Sequence, residues 1–106
     1  HDFLIVPSTQ VEPFDIDIEW GTQINGQKMQ DYLEWMSVCC LITTTGLPAI
    51  SMPCGFSASG LPVGLQIVGP PGGDLEVLKM AKAFESVTHF AGRLPAILNE
   101  PSDNEL

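Results

Sequence analysis

The sequence predicts a mixed α/β fold, and two kinds of pattern lead to that class. Short apolar runs bounded by glycine or proline are typical of strands, whereas apolar residues three and four apart are typical of amphipathic helices. Both patterns occur in this chain of 106 residues, of which 44% are hydrophobic. That fraction suffices for a core, and the length corresponds to one domain at roughly 100–200 residues each.

The predicted strands lie at the start and in the middle of the chain. Residues 3–6 form a continuous apolar run that ends at Pro7, which suits a strand buried on both faces of a mostly parallel sheet. Residues 49–54 and 63–67 are predicted as two further strands, and the turn residues 57–60 between them indicate a hairpin-like pair. Because an independent domain seldom begins with its most buried element, the first strand also suggests a fragment of a longer protein.

A first helix is predicted over residues 28–42. Met29, Leu33 and Met36 recur there at spacings of four and three, which is the spacing of one helix face. The segment then becomes entirely apolar, as in a buried helix. Gly46 follows shortly afterwards and is suited to a helix C-terminus.

A second helix is predicted over residues 75–88, with Asp74 as its N-cap. Polar residues occupy the opposite side, so this helix is expected to cover one face of a sheet. Its apolar stripe is predicted to consist of Leu78, Ala81, Phe84 and Val87.

Two segments lack a periodic pattern. Residues 8–27 contain spaced acids, glycines and Pro13, and they are predicted to form a long, solvated acidic loop. The acids do not match the spacing of an EF-hand, which argues against a calcium loop. Residues 93–106 are predicted to be an acidic, flexible tail.

The charge of the chain restricts its partners. The chain contains 4 basic residues (Lys and Arg together) and 13 acidic residues (Asp and Glu together), which gives a net charge of −9. Nucleic acids and anionic membranes both require a basic face, so neither is expected to bind. No apolar run approaches the ~20 residues of a membrane span.

Three cysteines and two histidines give no metal-binding spacing. Cys39, Cys40 and Cys54 are therefore interpreted as buried, reduced thiols of a cytoplasmic protein.

No complete catalytic constellation is visible in the chain. Nucleophilic catalysis requires an activated serine or cysteine with a base in reach, and neither a GxSxG nor an SxxK motif occurs. Cys54 is interpreted as a packed thiol rather than a nucleophile. His89, near the end of the second helix, is interpreted as a partner of the helix dipole rather than a general base.

Two long motifs closely resemble the C-terminal part of amidase signature enzymes. They are GLPAISMPCGF at residues 46–56 and GLPVGLQIVG at residues 60–69, in the order and spacing of that family. Residues 2–8 resemble a family strand that ends in a threonine/serine–proline turn, and residues 74–85 resemble its late helix. The resemblance covers roughly residues 2–90.

The resemblance implies a three-layer α/β/α fold around a mixed sheet, of which residues 1–92 would be only the C-terminal portion. It also implies hydrolysis of a carboxamide to a carboxylate and ammonia or an amine. A serine, a bridging cis-serine and a lysine perform that reaction in the family without metal or organic cofactor. Backbone N–H groups hold the oxyanion. Because these groups lie upstream in the family, no catalytic residue is carried over, and this chain alone is expected to be inactive.

The resemblance further implies a pocket wall. In the family, the helical segment before the GLPAISMP-type strand approaches the acyl side of the substrate. Members that act on glutamyl-tRNA carry a polar and acidic signature there, whereas residues 35–40 read WMSVCC in this chain. That difference favours a general amidase with a partly apolar substrate, and core packing remains the alternative for each residue. The candidate substrate-binding residues are Trp35, Met36, Cys39 and Ile42.

The expected partners are the upstream part of the same amidase polypeptide and a small-molecule amide substrate. Two alternatives stay open: a non-catalytic module that binds a partner or itself through a sheet edge, and a segment like that of the glutamyl-tRNA amidotransferases. Two helices cannot cover both faces of a sheet, so an apolar patch above the ~400 Å² usual for monomers is expected. A homo-oligomer is therefore predicted.

Overall fold

The structure, a computed structural model, describes residues 1–99 and combines an antiparallel sheet with helices, which confirms the mixed α/β class. Two 3₁₀ turns, Phe90–Gly92 and Ala96–Asn99, follow the last helix. In chain order the elements before them are β1 (Leu4–Pro7), β2 (Gln23–Ile24), β3 (Gln27–Lys28), α1 (Tyr32–Trp35), α2 (Ser37–Thr44), β4 (Ala49–Phe56), β5 (Pro62–Val68) and α3 (Asp74–Thr88).

The predicted hairpin of β4 and β5 is confirmed. The two strands pair antiparallel, with Met52 opposite Leu65. Their turn closes through two backbone bonds at Ser57, whose N–H donates to the Leu61 carbonyl at 2.8 Å and whose carbonyl accepts from Gly60 at 2.9 Å. Since β4 lies at an edge of the β1-β5-β4 sheet, Pro53 does not interrupt a ladder on both sides.

The prediction for the first strand is wrong in two respects. β1 pairs antiparallel with β5 and forms the other edge of the sheet. It is also not buried on both faces, because Leu4 and Ile5 are 52% and 47% exposed. An apolar run indicates that its side chains avoid water, but it does not indicate which chain segment covers them.

The core lies between the central strand and α3. Ile67 of β5 is completely buried, and Val77 and Ala81 of α3 pack from the helix side. Leu78 and Val87, predicted in the same stripe, are exposed, whereas Ala81 is buried and Phe84 is half-buried.

The start of α3 also differs from the prediction. Gly73 is the N-cap, and Asp74 is the first helical residue without a side-chain capping bond. A carboxylate at that position still favours the helix N-terminus through the helix dipole.

The helix predicted over residues 28–42 is shorter and divided. Asn25 and Gly26 both have positive φ, 49° and 79°, which is the backbone of a two-residue hairpin turn, and Lys28 therefore belongs to a strand. The helix begins only after Asp31, whose carboxylate accepts the Glu34 N–H at 2.9 Å. At Met36 the backbone leaves helical geometry, with φ −91° and ψ 10°, and this break separates α1 from α2.

The acidic loop of residues 8–27 is irregular outside β2 and the first residue of β3, and its carboxylates are exposed, as predicted. In the predicted tail, the Ala96–Asn99 turn is described, and residues 100–106 lie outside the described residues. Within residues 1–99, no helix has the length and hydropathy required to cross a membrane.

Candidate functional site

A cavity of about 360 Å³ opens where the chain leaves β1 and passes in front of the hairpin. Two strands, the acidic loop and α1 each contribute to its wall. We call it the Trp35 cleft. Its lining includes Ser8, Glu12, Phe14, Trp35, Ser51 and Gly64.

Two serine hydroxyls meet on one side of the cleft. The Oγ atoms of Ser8 and Ser51 lie 2.7 Å apart, although 43 residues separate them in the chain. Gly64 on the central strand makes this contact possible. A Cβ at that position would lie 3.1 Å from the Ser8 Oγ and 3.3 Å from the Met52 carbonyl oxygen, so a larger residue would crowd the hydroxyl pair.

Trp35 forms the aromatic side of the cleft. Its ring packs edge-on against Phe14, with centroids 5.8 Å apart, and in a tilted arrangement against Tyr32 at 5.3 Å. The indole also lies directly on Gly21, where a Cβ would be 2.5 Å from Nε1. That nitrogen is buried and has no hydrogen-bond partner within residues 1–99.

The structure does not gather the four candidate substrate-binding residues in one cavity. Trp35 lines the cleft, and the Cys39 thiol donates to the carbonyl of Ser8, another lining residue, at 3.0 Å. Met36 lies at the helix break, where its carbonyl accepts two backbone bonds. Ile42 lines a different cavity of about 430 Å³, together with Leu4.

The polar residues of the cleft include groups that the sequence does not single out. Glu12 was assigned only to a solvated loop, yet its carboxylate accepts a hydrogen bond from the Ser59 hydroxyl at 2.9 Å. The Ser59 hydroxyl in turn lies 2.7 Å from that of Ser57 in the hairpin turn. These contacts join residues up to 47 positions apart, and no local pattern marks them.

Within residues 1–99, no serine or cysteine side chain is hydrogen-bonded to a histidine or a lysine, and no metal site is assembled. All three cysteines are free and half-buried rather than fully buried. His89 is exposed and forms the left-handed C-cap of α3, where its backbone N–H donates to the Glu85 carbonyl at 2.8 Å. Within residues 1–99, no three His, Cys, Asp or Glu side chains converge as metal ligands.

Comparison with known proteins identifies the family. The family model described as Amidase matches residues 1–78. A glutamyl-tRNA(Gln) amidotransferase protein of Brevibacillus brevis is 40% identical over 96 residues, which are 90% of this chain and 18% of that protein. A putative amidase of Synechocystis is 38% identical over 85 residues, or 80% of this chain and 17% of the relative.

The chain thus spans less than one fifth of the length of these curated relatives. No solved structure matches it. The matched residues 1–78 include both long motifs and the strand that precedes them. This chain belongs to the amidase family.

Proposed function

We propose that this chain is the C-terminal segment of an amidase that hydrolyses a carboxamide with a partly apolar acyl group. The observation that carries the proposal is the position of Trp35, which lines the cleft. Family membership supports the amide chemistry. An aromatic wall beside a few polar groups is the usual composition of a small-molecule site, and it supports the apolar character of the substrate.

In this proposal the chain binds and orients the substrate and does not attack it. Trp35 and Phe14 offer apolar contact area, while the paired hydroxyls of Ser8 and Ser51 can each donate or accept a hydrogen bond. The nucleophilic serine, the bridging serine and the lysine are assigned to the upstream part of the polypeptide. That part is also proposed to complete the three-layer α/β/α fold around the sheet. Three free cysteines favour a reducing, cytoplasmic location.

Replacing Trp35 with alanine in the complete enzyme tests the proposal. We expect the ratio of kcat/KM for a bulky amide, such as a phenylacetamide, to kcat/KM for acetamide to fall. The fall should correspond to a free-energy difference of roughly 1–3 kcal/mol. The physical reason is that the larger acyl group loses a contact that the small one never makes. Steady-state kinetics with both amides and a thermal melt of each variant provide the measurement.

The other tryptophan offers a matched control, because Trp20 lies outside the lining of the Trp35 cleft. The Trp20→Ala variant should leave the ratio of the two kcat/KM values unchanged. An equal fall for both amides in the Trp35→Ala variant, in step with a lower melting temperature, would assign Trp35 to packing and contradict the proposal.

A second candidate function is amide transfer to a glutamyl-tRNA. Several relatives that match at least nine tenths of this chain are named as components of glutamyl-tRNA(Gln) amidotransferase, and this observation favours the candidate. A complete protein of this kind would depend on glutamyl-tRNA for its activity with glutamine. A general amidase would hydrolyse apolar amides without tRNA, so parallel assays with and without glutamyl-tRNA separate the two functions.

A further part of the proposal concerns the chain segment that covers β1, which lies at an open edge of the sheet. In the complete protein, we propose that the upstream part of the polypeptide covers this strand. Unpaired strand edges with apolar side chains recruit other strands, and Leu4 and Ile5 are both about half exposed. The 106-residue chain by itself is therefore expected to pair with a second copy.

Sedimentation equilibrium of the purified chain at low micromolar concentration tests this expectation. We expect a dimer or another small closed oligomer, which the Ile5→Lys substitution should shift toward the monomer. The charge of −9 resists indiscriminate aggregation without preventing one closed contact. A monomer at every concentration would contradict the prediction.

A further inference from the structure

We propose that Gln10 positions Trp35 and thereby determines the width of the Trp35 cleft. The proposal rests on the function assigned to that cleft, because it concerns which acyl groups the cleft accepts. Gln10 does not line the Trp35 cleft. It acts through the backbone of the residue that does.

The side-chain amide of Gln10 reaches across the chain to the break between α1 and α2. Its Nε2 lies 3.1 Å from the Glu34 carbonyl oxygen, 2.5 Å from that of Trp35 and 3.1 Å from the Ser37 hydroxyl. Gln10 itself is half-buried. One NH₂ group therefore supplies donors to acceptors on both sides of the break, from 24 to 27 residues away.

The break creates the need for these donors. At the C-terminus of a helix the last carbonyls have no intrahelical N–H partner, and α1 has only four residues. A carbonyl that is removed from water without a partner is costly. Gln10 meets that need at Trp35 itself, and so the peptide group that carries the indole is held at a defined place.

The segment that carries Gln10 also contributes other residues to the lining of the cleft. Ser8 and Phe14 lie on either side of it in the chain, and both line the cleft. Ser8 is anchored to the sheet through the Gly64 carbonyl at 3.1 Å and through the Ser51 hydroxyl. Gln10 thus connects the anchored hydroxyl side of the cleft to its aromatic side, and a change at Gln10 is expected to alter the distance between them.

The Gln10→Glu variant is the sharpest test, because it keeps the shape of the side chain and removes its donors. At neutral pH a carboxylate would face two carbonyl oxygens and repel them. In a Trp20→Phe background, where Trp35 is the only tryptophan, its fluorescence should shift to the red. The fraction of molecules in which acrylamide reaches and quenches the Trp35 indole should rise about five-fold, as expected for the loss of one hydrogen bond.

Protonation of the new carboxyl group should reverse this effect. When the pH is lowered from about 7 to about 4, a neutral carboxyl group gains an O–H that can donate to the Trp35 carbonyl. The Gln10→Ala variant also loses the donors but gains no titratable group, so its fluorescence should not recover. Any change with pH in the fluorescence of the Gln10→Ala variant therefore comes from the carboxylates on the neighbouring segments, which are Glu12, Asp31 and Glu34.

Matched controls separate positioning from general stability. Gln27 is an exposed glutamine of β3, and the Gln27→Glu variant should leave the Trp35 signal unchanged. If the Gln10→Glu variant does not fold, Ser37→Ala removes one of the three acceptors and should produce a smaller shift in the same direction. An unchanged Trp35 signal in folded Gln10 variants, or no difference between the Glu and Ala variants at low pH, would overturn the proposal.

These measurements do not depend on catalysis. If the Trp35 signal follows Gln10 but the complete enzyme shows no selectivity at Trp35, the positioning role holds and the proposed function fails. If both hold, the Gln10→Ala variant of the complete enzyme should raise KM for bulky amides several-fold while kcat changes little. A fall in kcat with an unchanged KM would contradict the role assigned to Gln10.

Discussion

Replacing Ile67 with alanine is expected to lower the free energy of unfolding by about 2–5 kcal/mol. Ile67 is 0% exposed and occupies the central strand, where it pairs with Ile5 on one side and Ile50 on the other. Removal of three buried carbons costs their transfer free energy and leaves a cavity that the surrounding strands fill only in part. Urea unfolding monitored by circular dichroism measures the loss.

The exposed isoleucine of the acidic loop provides the matched control. Ile16 is 97% exposed, so the same substitution there should change the free energy of unfolding by no more than about 0.5 kcal/mol. If the Ile67→Ala variant does not fold, Ile67→Val should still cost about 0.5–1.5 kcal/mol. Equal effects at Ile16 and Ile67 would show that the core does not lie on β5.

Replacing Gly69 with alanine is expected to destabilise the chain by about 1–3 kcal/mol through overpacking. The added Cβ would lie 2.4 Å from the Val77 Cγ2, far inside van der Waals contact. Val77 is buried on α3 and, as a β-branched residue, has few alternative rotamers. The helix must therefore shift away from the sheet, and the melting temperature should fall.

A double-mutant cycle identifies the cause. Val77→Ala alone should also destabilise, because it leaves a cavity under α3. When it is combined with Gly69→Ala, the new methyl group occupies part of that space, and the combined cost should be less than the sum of the two. Gly92→Ala is the control, since a Cβ at Gly92 meets no atom within 4 Å. Additive effects of the two substitutions would exclude the clash as the cause.

The best-predicted parts of the fold are those whose contacts are local in the chain. The β4–β5 hairpin could be inferred because alternation in residues 63–67 and a four-residue turn are both short-range signals. The length of α3 was also visible, but its buried face was not. Leu78 and Ala81 are equally compatible with an apolar stripe, yet Leu78 is 56% exposed and Ala81 is 5% exposed.

The candidate site was only partly visible. Trp35 was found through the family resemblance, and it does line a cavity, whereas Ile42 lies in another. Helical spacing placed Met29 and Met36 on one continuous helix. The Asn25–Gly26 turn and the Asp31 cap instead delay the start of that helix. Trp35 packs against Phe14 of the acidic loop, and the helix breaks at the next residue, Met36.

The sequence by itself determined the family, the mixed α/β class and the elements whose signals lie within a few residues of each other. Only the tertiary structure decided that β1 is an edge strand, that Ser8 meets Ser51 and that Gln10 holds the carbonyl of Trp35. The physical reason is the range of the interactions. Helix and turn preferences depend on neighbouring dihedral angles, whereas a hydrogen bond between residues 25 or 43 positions apart depends on how the whole chain folds back on itself.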